Sequence, residues 1–139
     1  MVNCTMKVFA LTTFLFVQVL SSGSAQTPPT GAAISWERNN HDFGEIKEGE
    51  KVEHTFKFTN TGAEALVITN IQVTCGCTTP KGWPRDPVAP GKKAEIIVQF
   101  NSTGKIGRQN KVVTVISNSA GGNSQVTFTA TVLDKKSQH

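Results

Sequence analysis

Apolar and polar residues alternate with a period of two along most of this chain. Val52, His54, Phe56 and Phe58 alternate with Glu53, Thr55, Lys57 and Thr59. Ala94, Ile96, Val98 and Phe100 alternate with Lys93, Glu95, Ile97 and Gln99, and Val126, Phe128, Ala130 and Val132 with Thr127, Thr129 and Thr131. Successive side chains of an extended strand point to opposite faces, so each set supplies one apolar face and one mostly polar face. Leu66 to Val73 and Val112 to Ile116 are denser apolar runs that suit central strands. Glu48-Gly49, Asn60-Thr61-Gly62, Pro90-Gly91, Gly104 to Gly107 and Asn118 to Asn123 supply turn chemistry between them. No segment carries a sustained helical pattern with caps. The strands expected are 34–37, 42–46, 51–59, 66–74, 93–100, 108–118 and 124–133. About seven short strands within one domain's length predict an all-β sandwich of two antiparallel sheets. Phe56, Phe58, Leu66, Ile68, Ile96, Val98, Val113, Val115, Val126 and Phe128 should fill the space between the sheets.

The first 25 residues break this pattern. Lys7 precedes an apolar run from Val8 to Leu20, followed by Ser21-Ser22-Gly23-Ser24-Ala25 and Gln26. A basic start, a short apolar stretch and small residues before a cut define a signal peptide, with cleavage expected after Ala25. The run is short for a membrane span, which needs about 20 apolar residues. No stable membrane insertion is therefore expected once the leader is removed. Met6-Lys7 is the more natural start, and Cys4 precedes the apolar run, so it cannot be a lipoprotein acceptor. Residues 26–33 are a Pro/Gly-rich, flexible lead-in, 34–133 the sandwich domain and 134–139 a polar tail. The expected location is periplasmic or extracellular.

The chain has 139 residues and a formal net charge of +4, with acidic and basic residues interleaved. There is no long basic run with aromatic residues set into it, which argues against a nucleic-acid surface. No nucleophile elbow, phosphate-binding glycine loop or haem attachment motif is present, and the scattered carboxylates form no acid–base pair. The expectation is a protein without catalytic residues or a cofactor.

Three stretches taken together resemble a known family. They are His41-Asp42-Phe43-Gly44-Glu45-Ile46 with Phe56 to Gly62; Cys75-Gly76-Cys77-Thr78-Thr79-Pro80 with Trp83-Pro84 and Pro90-Gly91; and Phe100-Asn101-Ser102 with Gly104-Lys105, Gly107, Asn110-Lys111 and Val115 to Asn118. Over roughly residues 36–132 the sequence resembles the bacterial domain of unknown function 1573 family. More distantly it is similar to Hydin-type and major-sperm-protein-type domains. The resemblance implies an immunoglobulin-like sandwich in an exported bacterial setting and no particular activity. Scaffolding and protein binding are what the distant relatives imply.

Cys75 and Cys77 are the one constellation with possible chemistry. They follow a dense apolar strand, and Gly76 would let the backbone bring the sulfurs together. Two thiols so close would pair in an oxidising compartment. They could instead bind copper, or supply half of a zinc site with His41 and His54. They could also exchange with other thiols, although the usual redox motif spaces its cysteines differently. In the plainer reading of the histidines, His54 packs at the core edge beside Phe56, and His41 orders the turn into Asp42. The segment Thr78 to Pro90 reads as one long connection stiffened by Pro80, Pro84, Pro87 and Pro90. Trp83, flanked by Lys81 and Arg85, would then anchor a partner protein or lid the end of the core. An envelope protein is the expected partner.

Overall fold

The computed structural model describes Gly23 and residues 30–138; the expected leader, its cleavage point and most of the lead-in lie outside the described residues. Among the described residues the strands are β1 (Ile34–Trp36), β2 (Asn40–Lys47), β3 (Lys51–Asn60), β4 (Ile68–Val73), β5 (Thr78–Gly82), β6 (Lys93–Asn101), β7 (Gly107–Ser117) and β8 (Ser124–Leu133), followed by a 3-10 turn at Lys135–Gln138. Two four-stranded sheets form, in the orders β1-β3-β6-β5 and β2-β8-β7-β4. The alternating segments became strands because each could bury its apolar face against the opposite sheet. All ten residues expected in the core are buried there, joined by Phe100, Ala130 and Val132. Phe100 of one sheet meets Phe128 of the other at 5.4 Å between ring centroids. Trp36 donates its indole N–H to Ser124 Oγ at 2.6 Å, tying β1 to β8 across the sandwich. Fully burying one such aliphatic or aromatic side chain stabilises by roughly 1.5–3 kcal/mol.

Two features depart from the sequence reading. First, β2 runs parallel to β8, with His41 opposite Phe128. The chain leaves β1 after Trp36 and crosses to the other sheet before Asn40, so the direction of β2 is set by that crossing and not by a hairpin. Second, the Thr78–Pro90 connection is not one loop. Its first five residues are β5, paired antiparallel with β6. Pro80 is tolerated because β5 is an edge strand of its sheet.

The Asn60-Thr61-Gly62 turn is the most tightly specified joint. Asn60 is fully buried. Its Oδ1 accepts from the backbone N–H groups of Ala33 at 3.2 Å and Gly62 at 3.0 Å. Its Nδ2 donates to the carbonyls of Glu64 at 2.7 Å and Val88 at 2.9 Å. One side chain thus ties four backbone groups from three segments, with its amide fully used.

Candidate functional site

β4 ends at Val73, and the chain crosses to the other sheet through Thr74-Cys75-Gly76-Cys77 before β5 begins. This crossing brings the two sulfurs to bonding distance, with the Cα atoms 5.3 Å apart, inside the disulfide window. Both cysteines are half-buried. They are not equivalent: Cys77 packs against the hydrophobic core, whereas Cys75 Sγ lies 3.8 Å from Thr78 Oγ1. Backbone bonds hold the turn independently of the sulfurs. Thr78 donates to Cys75 O at 3.2 Å, and Asn101 donates to Cys77 O at 2.8 Å. Gly76 does not have the conformational role expected of it. Its φ is not positive, and a Cβ there would meet open space. The crossing spreads the turn enough that no left-handed residue is needed.

The two histidines meet. His41 of β2 and His54 of β3 come from opposite sheets and stack with centroids 3.6 Å apart and planes 11° from parallel. Phe43 and Phe56 set their edges against the pair, each at 4.6 Å, Phe43 on His41 and Phe56 on His54. Burial pushes the His54 pKa below its ordinary value of 6.5, and the neighbouring His41 charge adds to this. His41 does not order a turn, because β2 already begins at Asn40. Asp42 has that role: its Oδ1 accepts from Gly44 N–H at 2.9 Å, at the bulge where Gly44 takes φ +69°. That bond first, and the Thr129 hydroxyl second, hold the Asp42 carboxyl below its ordinary range.

The cysteine pair and the histidine pair do not come together. His54 and Pro80 both flank Val98, so β6 stands between β3 and β5. That spacing is about 10 Å. Among the described residues no group of three or more His, Cys, Asp or Glu side chains could hold a metal ion.

Of the segment singled out around Trp83, Lys81 is exposed and lies in β5. Trp83 is half-buried and packs against the core. Its indole Nε1 is buried without a partner among the described residues. The Arg85 guanidinium covers the ring at 3.7 Å from its centroid. Beyond it, Leu66 and Val88 exchange backbone hydrogen bonds of 2.8 Å.

The structure adds a feature that the sequence reading passed over. β1 is only three residues long and covers only the end of β3 near Asn60. The last contact along this edge is Glu37 N–H to Lys57 O at 3.0 Å. Glu50 O accepts from Ser102 N–H, and Asn60 bonds with Lys92 O and Gly91 N–H, at the two ends of the β6 ladder, whereas Lys57 O faces Glu37. By alternation Val52, His54 and Phe56 direct their backbone groups toward β6, and Glu53 and Thr55 point the other way, where no strand is paired. This open edge lines a cleft of about 350 Å³ formed by Glu37, Arg38, His54, Thr55, Phe56 and Lys57. The signal was present in the sequence, in the mismatch between a three-residue run at Ile34 and the long alternation from Val52.

Fold and topology define the class as an immunoglobulin-like, PapD-like β-sandwich. Three solved structures illustrate it. A protein of unknown function from Porphyromonas gingivalis W83 matches with a TM-score of 0.64 and 16% identity, over 79% of this chain and 51% of that one. The secreted serine protease VesC from Vibrio cholerae matches at 0.59 and 18%, over 73% and 23%. The ASH/PapD-like domain 7 of human CEP192 matches at 0.58 and 11%, over 94% and 99%. The chain spans between 23% and 51% of the length of the first three solved structures it matches. Identities this low establish shared fold alone. Among curated proteins, none matches the sequence. The chain belongs to the family described as protein of unknown function DUF1573, whose profile matches residues 34–132.

Proposed function

We propose that this protein is an exported, non-catalytic module that binds another protein by accepting an extended segment along the open half of β3. The observation that carries the reading is the pair of outward-facing, unpaired backbone positions at Glu53 and Thr55, set beside a cleft. Unpaired N–H and C=O groups at a sheet edge are a ready template for one more strand, and the main-chain bonds supply affinity. Charge supplies selectivity. Lys51, Glu53 and Lys57 are exposed on the solvent face of this strand, so the favoured partner places acidic residues opposite the two lysines. The same charges discourage self-pairing.

Thr55→Pro is the test. Proline removes the outward N–H and leaves the bonds to β6 intact, because Thr55 does not use its amide there. The expected outcome is an almost unchanged melting temperature with loss of the proteins that wild type captures from an envelope extract. Hydrogen exchange on a wild-type complex should show new protection at the Glu53 and Thr55 amides. Capture that survives Thr55→Pro, with those amides still exchanging freely, overturns the reading.

A further inference from the structure

We infer that Cys75 and Cys77 form an exchange-competent disulfide, which accepts electrons from the cysteine thiols of another protein, with Cys75 as the sulfur that is attacked. Three observations converge. The bond is not needed to hold its surroundings. β4 is paired with β7 up to Val73, β5 with β6 from Thr78, and the turn keeps its own backbone bonds to Thr78 and Asn101. A ring closed across one residue also removes little entropy from the unfolded chain, so its contribution to stability is small. Next, the turn is approachable. Gly76 is exposed, and the space above its Cα is empty to 4 Å. An incoming chain meets Cys75 first, because Cys77 is packed on the core.

The third observation points to the chemistry. Thr78 is only 3% exposed, and the bond its hydroxyl makes is to Cys75 Sγ at 3.8 Å. A disulfide sulfur is a weak acceptor, so a buried hydroxyl is poorly satisfied by it. A thiolate at the same place would be a far stronger acceptor. The buried donor therefore favours the reduced, ionised form of Cys75 over the oxidised one, which makes the disulfide a better electron acceptor.

A partner thiolate attacks Cys75 Sγ, forming a mixed disulfide and breaking the Cys75–Cys77 bond, and Cys77 leaves as a thiolate that takes up a proton. A second partner thiolate then attacks the partner's own sulfur and releases Cys75. The partner dithiol is oxidised to a disulfide and loses its two thiol protons. Two electrons reach the Cys75–Cys77 pair, one proton is taken up by Cys77, the other goes to solvent, and Cys75 is released as a thiolate.

The test uses the folded full chain and glutathione as the probe. In buffers of rising reduced-to-oxidised glutathione ratio, the bond should open while the protein keeps its native melting transition. Cysteines that stay unreactive until the protein is unfolded overturn the proposal. In a Cys77→Ser variant, oxidised glutathione should form a mixed disulfide at Cys75, seen by intact mass and peptide mapping. The Cys75 thiol should ionise below the ordinary cysteine range, read from its thiolate absorbance. Adding Thr78→Val should raise that pKa and slow alkylation at neutral pH roughly tenfold. Adding Thr78→Ser instead, which keeps the hydroxyl, should leave both near their starting values. Equal ionisation in the valine and serine variants overturns the role of Thr78, and absence of a mixed disulfide overturns the exchange itself. This proposal does not depend on the β3 edge: Thr55→Pro should leave the glutathione titration unchanged.

Discussion

At the scale of single residues, glycines at two turns have opposite roles. Gly62 follows the buried Asn60, and a Cβ at Gly62 would fall against Gly31 O and within 2.5 Å of Ala33 N. These are backbone atoms held by the Asn60 hydrogen bonds and by Ala63 N–H to Gly31 O at 2.8 Å, so they have little room to yield. Gly76 has open space and an ordinary φ. Gly62→Ala is therefore expected to destabilise by about 1–3 kcal/mol through overpacking. Gly76→Ala should be neutral or stabilise by about 0.4–1 kcal/mol, because it restricts only the unfolded chain. Chemical denaturation of the two variants checks both. From the sequence, Gly62 read as an ordinary turn residue and Gly76 as the one whose backbone freedom mattered, for bringing the two sulfurs together. The neighbours that the fold brings to Gly62 reverse that order.

At the scale of elements, β2 and β3 are clamped across the sandwich edge by the stack of His41 on His54. His54 titrates below its ordinary 6.5 in the folded protein. Below that value the unfolded chain binds a proton that the folded chain resists, so stability rises with pH in this range. The contribution is complete above pH 6.5 and is lost as pH falls through the depressed folded value. Asp42 is shifted in the same direction from 3.8 and adds its own loss only in stronger acid. Melting temperature should therefore fall as pH is lowered from neutral toward 5. In His54→Phe the fall should be shallower, since a group that cannot take a proton replaces one that must. Parallel slopes for the two proteins would remove His54 as the cause. The strand pattern placed His54 beside Phe56 correctly. It could not pair His54 with His41, because the two belong to different sheets and the contact exists only once those sheets pack.

At the scale of the whole molecule, the proposal of export rests on the leader pattern in the sequence. The pattern from Lys7 to Ala25 predicts cleavage after Ala25 with Gln26 as the new first residue. Intact-mass measurement of protein recovered from its native compartment should show the mass of residues 26–139. A mass that retains Val8 to Leu20 would mean an anchored protein. Among the described residues no helix is long and apolar enough to cross a membrane.

The sequence by itself determined the all-β class, seven of the strands and the ten core positions named from it, from Phe56 to Phe128. These follow from local periodicity, because a strand's alternation states which face must be buried whatever it packs against. What depended on partners was decided only by the tertiary structure. β5 has no apolar alternation in Thr78-Thr79-Pro80-Lys81-Gly82 and is a strand because β6 offers it an edge. The parallel pairing of β2 with β8 and the bare half of β3 both follow from where the chain changes sheets. The hydroxyl aimed at Cys75 faces the sulfur because the crossing turn folds back onto β5. Periodicity records what each residue wants on one face of its own strand. It carries no information about which strand lies alongside, and that decides both the stack of His41 on His54 and the open edge of β3.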